Sequence, residues 1–281
     1  MSSMSSMSSM SSMSSMSSMS TIKSISIASG LRSKSKKEEQ ALDHPGHFHE
    51  YVFQQTLAKF HWEIFELLLD GYRNPEGGSN PALILAPRDH AKTTNVAETY
   101  PLWRVGLDRS ELVQLICSTM GLSAKRLKRI ANCIRHNERY KDMFGSLFPD
   151  DPDYAWNNTE LEVSRDRRLA FDTASAERDP TFIAFGITTS VEGGRATLQI
   201  YDDVVTYENS KTETSRSSVS EKFWMSFDPM LLPGGQQVAI GTRFHYDDFY
   251  SELMPLFDTE GYYTDLYEKR NESRREGESG E

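Results

Sequence analysis

Lys92 and Thr93 follow a short apolar run, and Asp202 and Asp203 close another one further along. The first cluster reads Ala86-Pro-Arg88-Asp89-His90-Ala91-Lys92-Thr93-Thr94. It shares with the phosphate-loop pattern G-x-x-x-x-G-K-[ST] only Lys92 and Thr93, because Ala86 and Ala91 stand where the glycines would be. A strand, a tight loop of backbone amides, a lysine at a helix start and a hydroxyl for Mg²⁺ are what a triphosphate needs. Alanine supplies amides as well as glycine does while φ is negative, but a left-handed alanine costs about 1–2 kcal/mol. Standing alone, the cluster reads equally well as a solvated strand-to-helix turn.

The second cluster changes the balance. Leu198-Gln-Ile-Tyr-Asp202-Asp203 is an apolar strand that ends in adjacent carboxylates, one able to hold a metal and the next to position water. Paired acids also serve as ordinary caps. A third run ends in Ile240-Gly241-Thr242-Arg243-Phe-His245 and brings a hydroxyl and a guanidinium to its end. Three polar clusters after three strands point to one site.

Those strands need a scaffold that aligns their ends. Apolar runs predict strands at residues 82–86, 112–117, 161–163, 169–171, 182–185, 198–201 and 237–240. Helical spacing follows Lys92, recurs in Ala124, Leu127, Ile130, Ala131 and Ile134, and covers 210–224 and 247–257. Strands alternating with helices predict an α/β fold, a mostly parallel sheet with helices on both faces. Ligands of such sheets bind at the carboxyl ends of the strands.

Composition narrows the classes. The chain has 281 residues, 37% hydrophobic and 26% charged, with two cysteines, which excludes a disulfide scaffold. Cys117 and Cys133 lie in apolar surroundings without metal spacing and read as buried free thiols. No apolar run approaches the roughly 18–20 residues of a membrane-spanning helix. A net charge of -10 excludes coating nucleic acid by bulk charge, so any such contact is a local patch. Lys125, Arg126, Lys128, Arg129 and Arg135 form a basic ridge on the polar side of one helix, either a solvated face or a contact for DNA backbone or a neighbouring subunit.

Residues 1–40 begin with Met-Ser-Ser repeats, stay free of acidic residues and carry only basic charges as far as Lys37, and are expected to be disordered; a transit peptide shares that composition but not the repeat. The charged stretch 267–281 reads as a solvated tail, leaving 41–266 as one domain. His44, His47 and His49 with Glu50 can be drawn as a metal site, but the Pro45-Gly46 turn favours a solvated lead-in to the domain.

In order along the chain stand Leu85 to Thr94, Trp156-Asn157, Gly186-Ile187-Thr188, and Gly194-Arg195 ahead of Ile200-Tyr201-Asp202-Asp203-Val204. Leu232-Pro233-Gly234-Gly235 and Gly241-Thr242-Arg243-Phe244-His245 with Asp248 follow. This series, over about residues 44–257, resembles the ATPase domain of the large terminase subunits of tailed bacteriophages. The resemblance implies a P-loop NTPase of the additional-strand type, with ATP and Mg²⁺ as cofactors. It further implies a ring at the procapsid portal in the host cytoplasm, with double-stranded DNA, portal protein and the small terminase subunit as partners and no membrane part.

By the same resemblance, Arg88, Asp89, His90, Ala91, Lys92, Thr93 and Thr94 would cradle the nucleotide. Lys92 would contact the β and γ phosphates, Thr93 and Asp202 the metal, and Asp203 the attacking water, where many relatives carry Glu. Arg88 would sense the γ-phosphate, or else pair with Asp89 at the surface. His61 would read adenine where relatives carry Gln, or else pack within a helix. Gly241, Thr242 and Arg243 fall at the coupling motif. Large terminases continue into a nuclease domain that this chain is expected to lack, so it is not expected to cut DNA. Two alternatives stay open: another nucleic-acid-dependent P-loop ATPase such as a helicase-like translocase, and a catalytically silent terminase remnant acting in assembly.

Overall fold

Strand side chains alternate between two apolar layers, and that alternation sets the architecture. Ile84, Leu115, Ile200 and Ile240 enter one core, while Leu83, Ile116, Tyr201 and Ala239 enter the other. The computed structural model describes residues 35–73, 82–87, 90–164, 179–189, 191 and 193–257. Within them, β1 (Ala82–Leu85), β2 (Val113–Cys117), β3 (Glu160–Leu161), β4 (Phe182–Gly186), β5 (Ala196–Asp202) and β6 (Leu231–Gly241) form one sheet in the order β1-β6-β5-β2-β4-β3. All neighbours are parallel except β3, which runs antiparallel to β4. The longest strand, β6, is thus inserted between β1 and β5. The expected strand at 169–171 lies outside the described residues.

The first core is covered by α1 (Lys36–Asp43), α2 (Pro45–Phe53), α3 (Lys59–Arg73), α4 (Tyr100–Leu107), α5 (Met120–His136) and α6 (Glu138–Phe144). Between β5 and β6 come α7 (Tyr207–Ser210), α8 (Glu213–Lys222) and a π-helical turn (Phe223–Phe227). Val219, Phe223 and Phe227 close the second core together with Phe249, Tyr250 and Leu253 of α9 (Phe249–Phe257). Helices therefore cover both faces. No helix among the described residues is long and apolar enough to cross a membrane. Cys117 and Cys133 are buried and unbridged, and burial pushes both thiols up to about 12.

The beginning of the domain departs from expectation. Ordered helix starts at Lys36, inside the 1–40 stretch, because Ser35 and Glu38 form a reciprocal cap and the Tyr51 hydroxyl donates to Glu38 at 2.9 Å. The segment expected to be a solvated lead-in is α2. Pro45 sits at its first turn, where a missing N–H costs nothing, and His44 Nδ1 accepts from Gly46 N–H at 3.0 Å. Phe48 and His49 are 0% and 2% exposed. No group of three or more metal-ligating side chains converges among the described residues.

Burial holds His49 neutral and pushes its pKa down to about 4. The unfolded chain, with an ordinary histidine near 6.5, takes up the proton first, so stability falls as pH drops from about 6.5 to about 4. The loss attributable to His49 should reach about 3 kcal/mol. Urea unfolding at pH 7.5 and 4.5 checks it: His49→Gln should show a smaller loss than the parent, and an equal loss would exclude this cause.

At the foot of the sheet, polar side chains are buried in a connected network. Arg104 donates through Nε to Glu111 Oε1 at 2.7 Å and through Nη1 to Gln236 Oε1 at 3.2 Å, and its guanidinium lies 4.2 Å from the centre of the Tyr72 ring. The Thr197 hydroxyl donates to the other oxygen of Glu111. Nearby, Gln199 donates to Gln114 Oε1 at 2.9 Å, and Gln237 donates to Gln199 Oε1 at 3.1 Å, across the three central strands. The β3 edge is closed by its own flank: Glu162 N–H donates to Ala155 O at 2.7 Å and Asn157 N–H to Glu160 O at 2.9 Å.

Candidate active site

Parallel registers bring the strand ends together. Leu85 stands opposite Gly241, and Asp202 stands opposite both Ile240 and Cys117. The residues just beyond therefore share one edge. Ala86 N–H extends the pairing to Gly241 O at 3.2 Å, and Asp203 N–H bonds Ile240 O at 2.9 Å.

Lys92 ties these ends to one another. Its Nζ donates to Ala86 O at 3.1 Å and to Thr242 Oγ1 at 2.8 Å, and lies 3.4 Å from Asp203 Oδ1. The residue is 5% exposed. Ala91, just before it, has φ 51, so the alanine does occupy the left-handed conformation that favours glycine. The chain then enters a π-helical segment, Thr93–Thr99, in which Tyr100 N–H bonds Asn95 O five residues back. Wide turns of this kind collect at functional sites.

Asp202 is 2% exposed, and each of its oxygens has its own partner. Thr93 Oγ1 donates to Oδ1 at 2.9 Å, and Arg126 Nε donates to Oδ2 at 2.9 Å. Burial pushes the Asp202 carboxyl above the usual range, while the Arg126 guanidinium pulls it back. Asp203 has φ 49, a conformation that Asp and Asn tolerate better than most residues, and its side chain is 41% exposed.

Beside Lys92, Thr93 and Asp203 lies a cavity of about 420 Å³, lined also by His90, Ser118 and Thr242 among others. It is open enough for a small polar ligand and sits where an open α/β sheet binds one. A hydroxyl beside a carboxylate oxygen is a hard-oxygen pair of the kind that holds Mg²⁺ when phosphate and water complete the shell. The donor set therefore fits a magnesium-bound phosphate ligand.

Among the described residues, Asp202, Thr94, His61, Gly241 and Arg243 are not in the lining of this cavity. Arg88 and Asp89 lie outside the described residues. Thr94 is half-buried one step along the π-helical segment. His61 Nδ1 accepts from Ala58 N–H at 3.2 Å, and Nε2, the protonated nitrogen of that tautomer, donates to His90 O at 3.1 Å. Its two nitrogens thus brace backbone, including that of the loop before Lys92. Arg243 stands at the correct edge but bonds Tyr246 O at 2.8 Å and Ser251 Oγ at 2.7 Å, folding its own loop. Gly241 is needed for packing, since a Cβ there would run into the Tyr250 ring and hydroxyl.

The site also holds a residue the sequence assigned elsewhere. Arg126 belongs to the basic ridge, yet its side chain is only 19% exposed and turns inward. Its neighbours in the ridge differ: Arg129 pairs with Glu98 at 2.9 Å, Arg135 lies 4.5 Å over the Phe148 ring, and Lys125 and Lys128 are exposed without an ion pair among the described residues. The available signal was position, because Arg126 falls three residues after buried Ser123 and four before buried Ile130, on the flank of the apolar stripe.

No protein-family profile matches the chain, and no curated protein matches it. Among solved structures, the chain is similar to the crystal structure of the HK97 bacteriophage large terminase, at 10% identity and a TM-score of 0.45. That likeness covers 76% of this chain and 40% of the other, so the chain spans less than half the length of that protein. A likeness this loose says nothing about chemistry, which rests on the geometry above.

Proposed function

We propose that the chain is the ATPase domain of a viral DNA-packaging motor of the large-terminase type, hydrolysing Mg-ATP to move double-stranded DNA into a procapsid. The observation that carries this reading is the meeting of Lys92 and Thr93 after β1 with Asp202 and Asp203 after β5. The insertion of β6 between those strands supports the additional-strand form of the P-loop fold. In this reading Lys92 leaves Ala86 O and Thr242 to neutralise the β and γ phosphates. Thr93 and Asp202 hold the metal, which would offset charge on the phosphates. Asp203, the more exposed acid, orients and deprotonates the attacking water. Thr242, bonded to Lys92 at 2.8 Å, is placed to register that departure at the end of β6. The partners are duplex DNA, portal, small terminase and further copies of the chain in a ring, at the portal in the host cytoplasm.

One observation favours a second reading. The glycine-free loop holds Ala91 in a left-handed conformation and Lys92 in self-contacts, as a silent assembly factor could. Purified protein assayed for Mg²⁺-dependent ATP hydrolysis, with and without duplex DNA and portal, separates the two. The motor reading expects hydrolysis that rises with DNA and portal; no hydrolysis under any of these conditions would leave the assembly role. Because Arg126 and Arg129 are already paired, DNA contact by the ridge falls to Lys125 and Lys128. Changing both to Glu should weaken DNA binding, leave basal hydrolysis intact and reduce the slope of log affinity against log salt by about two. An unchanged slope would return the ridge to a solvated face.

A further inference from the structure

The two oxygens of Asp202 have separate duties. Oδ1 faces the Thr93 hydroxyl, while Oδ2 is taken by Arg126 Nε, both at 2.9 Å. A carboxylate at 2% exposure has little water to restrain or solvate it, so its orientation and charge depend on these two neighbours. The guanidinium arrives from a fixed element. Leu127, Ile130 and Ile134 anchor α5 in the core. Ser123 Oγ, one turn before Arg126, accepts from Cys117 N–H at 3.1 Å and donates to Phe185 O, pinning the helix to β2 and β4. Arg129, one turn on, pairs with Glu98 at 2.9 Å and so also fastens α5 to the π-helical segment that begins at Thr93.

We propose that Arg126 is a positioning residue that holds Oδ2 of Asp202, so that Oδ1 and the Thr93 hydroxyl face a divalent cation as a preset pair of oxygen ligands. The proposal rests on the nucleotide-hydrolysis reading and adds to it a residue outside the loop and the paired acids. Thr93 Oγ1 bonds Oδ1 and Arg126 bonds the other oxygen, so a cation that took the place of the Thr93 hydrogen bond would leave Arg126 where it is. Arg126 is therefore a support for the metal site and not a competitor for it. Groups that orient a metal ligand from behind are typically worth about 10–100-fold in metal affinity.

The test measures binding of a fluorescent ATP analogue to the full chain while Mg²⁺ is titrated, together with thermal unfolding of each variant. Arg126→Gln should bind the analogue without metal as the parent does, and should need about 10–100-fold more Mg²⁺ for its half-maximal response. Arg126→Lys, which keeps the charge but loses the fork, should shift the midpoint less, and it carries the test if the Gln variant does not fold. Lys128→Gln, on the exposed side of the same helix, should leave the midpoint where it is. A lowered melting temperature with an unmoved Mg²⁺ midpoint would make Arg126 merely structural and overturn the proposal. An equal shift in Lys128→Gln would overturn it in favour of general helix charge. A parent protein with no Mg²⁺-dependent binding would instead remove the nucleotide reading, and this proposal with it.

Discussion

Lys92→Ala should abolish ATP binding measured by calorimetry, whereas Asp203→Asn should bind ATP at least as well as the parent and turn it over about 10²- to 10⁴-fold more slowly. Under the proposed motor reading, the two substitutions differ because the groups would meet different parts of the reaction. Lys92 supplies a buried amine at the cavity, with Thr242 and Ala86 holding it ready and no other lysine lining that space among the described residues. Asp203 faces the same cavity with a half-exposed carboxylate. Asn suits its left-handed backbone at φ 49 as well as Asp does, so the fold should survive while the proposed base is lost. Removing Asp203 also frees Lys92 from an attraction at 3.4 Å, which is why binding should not weaken. Equal loss of binding in both variants would sink the assignment of roles.

The largest stability effect should come from the far end of the sheet. Arg104 and Glu111 are each 5% exposed. Glu111→Ala would leave the guanidinium buried with Gln236, Tyr100 and the face of Tyr72 but no counter-charge. Breaking a buried pair from one side costs about 3–5 kcal/mol. For a domain of this size that is roughly a 10 °C fall in melting temperature. Removing both charges with Arg104→Met and Glu111→Leu should recover most of the loss, since two apolar side chains need no partners. Urea unfolding of the three proteins is decisive: a single-variant loss below about 1 kcal/mol would mean that water reaches the pair. Nucleotide affinity should not change in whatever fraction stays folded, because the pair lies at the opposite ends of the strands from Lys92.

The sequence made the strands that carry the site legible, since apolar runs at 82–86, 198–201 and 237–240 stop where their polar residues begin. It did not reveal the sheet order, because periodicity is local and the insertion of β6 between β1 and β5 is not. The family resemblance, and not spacing, suggested that insertion. Pro45-Gly46 reads as a turn in isolation, yet proline suits a first helical turn and Gly46 admits the Trp62 ring, where a Cβ would come within 2.7 Å. β6 begins well before residue 237, since Pro233, Gly234 and Gly235 disguise its first turn of pairing; Gly234 has φ 77 there. Arg126 was hidden by company: four other cations share its helix, and charge alone does not show which of them turns inward to Asp202.

The self-closed margin at β3 has a consequence for assembly. A strand whose outward backbone groups are already taken by Ala155 and Asn157 cannot template another chain, and at two residues it is too short to try. In the ring of the proposed motor, copies that met along that side would do so through side chains, whose contacts could be broken and remade.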